Sequence, residues 1–202
     1  MPRIAAAIVA LVCWTGLAVQ FAATYSHHPD ILTSVWILLR FFTVITNLLL
    51  AIAMTGVALD RRVLPFTLGG LTLAILLVGI VYTLLLRGLV ELSGGAVLAD
   101  LLLHKVSPIL MPLWWLVFAP HRQLRWSAPV WWSLYPLVYF VYALARGAFG
   151  DKYPYPFMDV GKLGVAQTAI NAVAIAAGFL IVGYGVVWLD RSRLLGSRRS
   201  TG

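Results

Sequence analysis

Asp100 and His104 stand four residues apart in "LADLLLHKVSPILMP", the spacing that puts two side chains on one face of a helix. A carboxylate so placed accepts the imidazole Nδ1 proton, fixes the tautomer and leaves Nε2 as a general base. The plainer reading is a buried histidine that Asp100 merely satisfies. A base needs a nucleophile, and Cys13, the one cysteine, lies in the wrong half of its hydrophobic stretch, so a hydroxyl is required. Ser107 shares the face of His104, but a helical serine commonly bonds back to its own helix. Thr43 and Thr46, in "LLRFFTVITNLLL", belong to another helix and would leave a cleft for substrate between the two. On residue type and spacing, Thr43, Thr46 and Ser107 are comparable. Arg40, one turn before Thr43, suits a substrate carboxylate or an oxyanion, and Asn47, one turn after it, offers a hydrogen bond. Their plainer roles are a salt bridge from Arg40 to Asp100 or Glu91, and Asn47 as packing.

The elements that must carry these residues are membrane helices. Of 202 residues, 61% are hydrophobic and 11% charged, with a mean hydropathy of +0.92. A soluble domain carries roughly 25% charged residues, so the surface that water requires is missing. The net charge of +8 sits at the ends of apolar runs and forms no basic face for nucleic acid. One cysteine rules out an intrachain disulfide. Six apolar runs are long enough to cross the hydrocarbon: Ile4–Tyr25, Ser34–Leu59, Pro65–Leu86, Val97–Ala119, Pro129–Arg146 and Val165–Leu189. The expected fold is therefore all-α, a single bundle of six transmembrane helices with short loops and a basic cytoplasmic tail over 190–202.

Orientation follows from the basic residues. Arg3, Arg61, Arg62, Arg122, Arg125, Arg191, Arg193, Arg198 and Arg199 mark one set of ends, against Arg87, Lys152 and Lys162 at the other. The richer side should be cytoplasmic, with both termini on it. Arg3, an apolar core and "FAATYS" also fit a cleaved signal peptide loosely, although the apolar region is long for one.

Counted along these spans, Thr43 lies ~14 Å and His104 ~10 Å below the outer ends. Tyr82, Thr83, Arg87, Lys105 and Arg146 fall in the same half, as do Tyr139, Tyr142, Gln167, Thr168 and Asn171, while the inner halves are nearly free of ionisable groups. Such groups are costly inside a membrane unless they face protein or a wet cavity, so a polar pocket in the outer half is expected; interhelical glue is the alternative. Pro108 and Pro112 lack the N–H that the carbonyls of His104 and Pro108 would accept, so the helix should bend or open beside the histidine. His27, His28 and His121 lie in loops, which leaves His104 alone at membrane depth. Neither a metal site, which usually wants three protein ligands, nor bis-histidine haem is expected, and no cofactor.

"RFFTVITNLL", "LLLHKVSPILMPLWWLVFAPHRQLRW", "YPLVYFVYALARGAF" and "KYPYPFMDVGKLG" resemble bacterial members of a six-pass membrane family related to androgen-induced and androgen-dependent hydrolases. The likeness runs from the second span to "VWLDR". It implies an intramembrane threonine hydrolase that cleaves fatty acid esters of hydroxy fatty acids. The family's nucleophile, a threonine in a Phe-x-Thr setting, matches Thr43, and its essential histidine, shortly before a proline, matches His104. The animal members differ in a longer soluble stretch after the second span and in their outer loops.

The expectation is an ester hydrolase of the cell membrane acting on a membrane lipid ester. Thr43 and His104 are its catalytic pair, with Asp100, Arg40, Asn47, Ser107 and Arg146 supporting or binding substrate. A transporter or a lipid- or carboxylate-binding protein would use the same polar pocket. "GDKYPYPFMDVG" reads either as a stiff interfacial cap over that pocket or as an ordinary anchoring loop.

Overall fold

The structure, a computed structural model, describes residues 1–89 and 91–192. Arg193, Arg198 and Arg199 of the expected tail lie outside the described residues. Among the described residues every regular element is a helix. Five helices are long and apolar enough to cross a membrane: Pro2–His27, Pro65–Leu86, Gly95–Phe118, Ala128–Ala148 and Val160–Arg191. A sixth crossing arises if the bent pair Ile31–Leu38 and Phe42–Ala58 is one span. The chain forms two compact units, Met1–Gln123 and Leu124–Gly202.

The first unit contains α1 (Pro2–His27), α2 (Ile31–Leu38), α3 (Phe42–Ala58), α4 (Pro65–Val81), α5 (Gly95–Leu101) and α6 (Ser107–Phe118). A π-turn, Tyr82–Leu86, extends α4, and a second, Leu102–Val106, joins α5 to α6. Small buried residues of α1, namely Ala6, Ala10, Cys13 and Gly16, let neighbouring helices approach closely. The helix with which α1 shares most contact is α3, whose Leu50, Ala51 and Met54 are buried. Arg3 Nη1 lies 3.3 Å from Asp60 Oδ2, and Trp14 Nε1 donates to Thr55 Oγ1 at 3.1 Å. Trp114 Nε1 of α6 donates to the Pro2 carbonyl at 3.0 Å. The start of α1 and the ends of α3 and α6 therefore meet.

The second span departs from the uninterrupted helix expected over Ser34–Leu59. It breaks at Leu39–Phe41, and the two parts meet at 98°. Tight i→i−3 bonds from the Arg40 and Phe41 N–H groups end α2, Phe41 is extended, and α3 starts afresh at Phe42. Thr43 consequently stands in the first turn of a 17-residue helix, and a depth counted from Ser34 does not apply to it.

The second unit contains α7 (Ala128–Trp132), α8 (Leu134–Ala148), a 3-10 turn (Pro156–Met158) and α9 (Val160–Arg191). Asp190 Oδ2 accepts from the Leu124 N–H and Arg191 Nη1 donates to the Leu124 carbonyl, each at 2.9 Å, so α9 grips both backbone polar groups of one residue. Gly164, at φ +75°, interrupts α9 one residue before the expected start of the sixth span.

Candidate functional site

Pro108 shapes the candidate site. It has no N–H for the carbonyl one turn back, and the helix widens in response. Over Leu102–Val106 the bonding becomes i→i−5, with the Ser107 N–H reaching Leu102 O. The Leu103 carbonyl turns to side chains instead. Asn47 Nδ2 donates to it at 3.2 Å and to Thr43 O at 2.9 Å. The Ser107 hydroxyl gives its single proton to Asn47 Oδ1 at 2.6 Å, with Leu103 O 3.2 Å away. Asn47 and Ser107 are fully buried, so this polar cluster ties α3 to the widened turn from within the interior.

His104 leaves that turn toward α4. Its Nδ1 lies 3.1 Å from Asp100 Oδ1, although the ring N–H is not aligned on the oxygen as in a hydrogen bond. The imidazole stacks on Tyr82, with ring centroids 4.5 Å apart and planes at 22°. The Tyr82 hydroxyl donates to Asp100 Oδ2 at 2.7 Å, and Lys105 Nζ is 3.4 Å from the same oxygen. One carboxylate thus gathers a phenol, an imidazole and an ammonium. Both π-turns contribute to the cluster, in keeping with the frequent use of such turns at functional sites.

A groove of about 440 Å³ lies between α4 and α6. Thr83, His104 and Lys105 border one part of it, while Leu76, Ile80 and Ile109 line the walls farther along. Gly79 permits this packing, because a Cβ there would come within 2.8 Å of Pro108 Cβ. Thr83 gives its hydroxyl to Gly79 O at 2.7 Å.

The expected residues fall into three groups. Asp100 and His104 stand side by side, 3.1 Å apart, without the aligned Nδ1–H hydrogen bond that was expected, and the helix opens beside the histidine. Thr43 is not among the groove's lining residues; it is 6% exposed, one turn before Asn47 on α3. The residue a turn before Thr43, Leu39, lies in the helix break, whereas Thr55 and Thr72 bond back to Ala51 and Leu68 in regular helix. Thr46 is fully buried. Asn47 spends its amide on Thr43 and Leu103, so the hydrogen bond it was expected to offer a substrate goes to the protein instead. Ser107 is likewise committed to Asn47. Arg40 sits in the helix break with its guanidinium 5.2 Å from the Phe41 ring centroid.

Arg146 belongs to the second unit. It is 6% exposed, ion-paired with Asp151, and donates to the Tyr142 hydroxyl at 2.9 Å. It anchors the segment after α8, where a Cβ on Gly147 would overlap the Tyr153 ring. Asn171 Nδ2 holds the far end of that segment through Phe157 O at 3.0 Å.

The partnership of Tyr82 and Lys105 with Asp100 was not anticipated. Lys105 follows His104 and Tyr82 is polar at a helix end, but contact between helices leaves no trace in spacing along one of them. Among the described residues no group of three or more His, Cys, Asp or Glu side chains is arranged to hold a metal ion. Set against protein family models, curated proteins and solved structures, the chain matches none.

Proposed function

We propose that the chain crosses the cell membrane six times with both ends in the cytoplasm, and that it hydrolyses a lipid ester inside the bilayer. The observation that carries this reading is the Asp100–His104 pair, 3.1 Å apart beside an apolar groove. Exposed Ile8, Leu11, Ile52, Leu113 and Val117 support insertion, since a surface of this kind belongs in lipid. The motif resemblance points to esters of hydroxy fatty acids as substrates and to Thr43 as nucleophile. Asn47, one turn from Thr43, bonds to Leu103 and Ser107 of the turn that carries His104, which supports a common level for the two groups although the imidazole itself turns toward α4.

In the proposed reaction His104 takes the Thr43 proton while the threonine oxygen bonds to the ester carbonyl carbon. Collapse of the tetrahedral intermediate breaks the bond to the alcohol oxygen, which leaves with the proton from His104. Water, deprotonated by the same imidazole, then attacks the acyl-threonine, freeing the acid and restoring the hydroxyl. A second reading keeps His104 and gives the attack to Thr83, which shares the groove with it.

Labelling by a fluorophosphonate probe tests both. Loss of labelling in Thr43→Ala and in His104→Ala is expected. Labelling that survives in Thr43→Ala but disappears in Thr83→Ala moves the nucleophile, and wild-type labelling of all three variants ends the hydrolase reading.

A further inference from the structure

We infer that the groove between α4 and α6 binds a lipid with a single acyl chain and a carboxylate head, the head at Lys105 and the chain toward Leu76 and Ile109. The polarity of the groove is graded. Thr83, His104 and Lys105, with Leu84 beside them, sit where the two π-turns meet, and the walls beyond them are wholly aliphatic. Such a gradient fits an amphiphile in one orientation.

Charge selects the head. The Lys105 side chain is 44% exposed and its ammonium carries three donors. Asp100 faces it at 3.4 Å, but that carboxylate is held more closely by the Tyr82 hydroxyl, at 2.7 Å. The ammonium therefore retains donors for a second anion, and a carboxylate takes them as charge-assisted hydrogen bonds. A neutral or zwitterionic head offers those remaining donors much less. The aliphatic walls take the tail: the groove is open along one side, and about 440 Å³, near the small end of ligand sites, holds one chain.

This inference shares its groove with the hydrolase reading but not its reaction, so a probe without an ester separates them. The full chain carrying Thr43→Ala, in phosphatidylcholine nanodiscs, is exposed to a palmitic acid analogue with a mid-chain diazirine and a terminal alkyne. Crosslinks are mapped by mass spectrometry, and palmitic acid and hexadecanol serve as competitors. Labelling is expected within residues 76–84 and 104–109, with the acid competing about tenfold better than the alcohol, the scale of one hydrogen bond to a charged group. Lys105→Gln should erase that preference, Lys105→Arg should keep it, and Ile80→Trp should fill the groove and remove the label. Labelling confined to other segments, equal competition by acid and alcohol, or an acid preference that persists in Lys105→Gln would overturn the assignment. Retained binding together with no fluorophosphonate labelling of the chain that keeps Thr43 would strike the hydrolase reading and leave this one standing.

Discussion

Asn47 does for the Leu103 carbonyl what a backbone N–H does in an unbroken helix. Replacing it with leucine keeps the volume roughly constant but removes one of the two 3.2 Å contacts to that carbonyl, and leaves the Ser107 hydroxyl without its 2.6 Å acceptor. Side-chain hydrogen bonds between membrane helices are individually modest, about 0.6 kcal/mol on average, but a buried polar group stranded without a partner costs about 1–3 kcal/mol. Asn47→Leu should therefore lower stability by about 2 kcal/mol, and Ser107→Ala by about 1 kcal/mol, since it strands the Asn47 Oδ1 but leaves the Leu103 carbonyl its Asn47 donor. Unfolding of the purified chain in a mild detergent measures both. Equal losses would mean that the Leu103 carbonyl does not depend on Asn47. If the proposed catalysis is correct, fluorophosphonate labelling should also slow in Asn47→Leu, since the turn carrying His104 would lose its lateral support.

Helix packing separates two glycines that look alike in sequence. Gly79 in α4 and Gly178 in α9 both interrupt apolar helical runs, yet a Cβ on Gly79 would lie 2.8 Å from Pro108, whereas one on Gly178 meets nothing within 4 Å. Alanine favours helix over glycine by up to about 1 kcal/mol, and overpacking a close contact costs about 1–3 kcal/mol. The same substitution should thus destabilise at Gly79, where strain against a rigid proline outweighs propensity, and be neutral or mildly stabilising at Gly178. Thermal midpoints of the two variants check this, and a Gly79→Ala protein as stable as the wild type would deny the close approach that shapes the groove. Much at this scale was readable beforehand. Runs of apolar residues located the helices, Pro108 announced the opening beside His104, and the four-residue spacing announced the Asp100–His104 pair. The break at Leu39–Phe41 was not readable, because "LRF" contains neither proline nor glycine and its tight turn is set by tertiary context. Nor was the Tyr82–Asp100 bond, which joins residues 18 apart in sequence across two helices.

Whether α2 and α3 make one crossing decides the topology of everything that follows. A crossing gives six spans and places both termini on one side; a re-entrant pair gives five and inverts every segment from Arg61 onward. Two observations favour the crossing. Alone, α3 is 17 residues long, about 26 Å, close to the thickness of the hydrocarbon core. Its end also meets the start of α1 through Arg3 and Asp60, 3.3 Å apart, whereas a segment that turned back would end beside the far end of α1. In the proposed topology the excess of arginine puts these ends on the cytoplasmic side. Cys13 is the only cysteine and is buried, so introduced cysteines report without a large background. In intact cells an impermeant maleimide should label Ser26→Cys, Ser93→Cys and Lys152→Cys, and should reach Arg61→Cys and Ser127→Cys only after permeabilisation. Labelling of Arg61→Cys and Ser127→Cys from outside, with Ser93→Cys and Lys152→Cys protected, is the pattern of the five-span chain. That pattern would place the polar ends of the groove, at Lys105 and Thr83, toward the cytoplasmic leaflet, and a lipid carboxylate would have to enter from there.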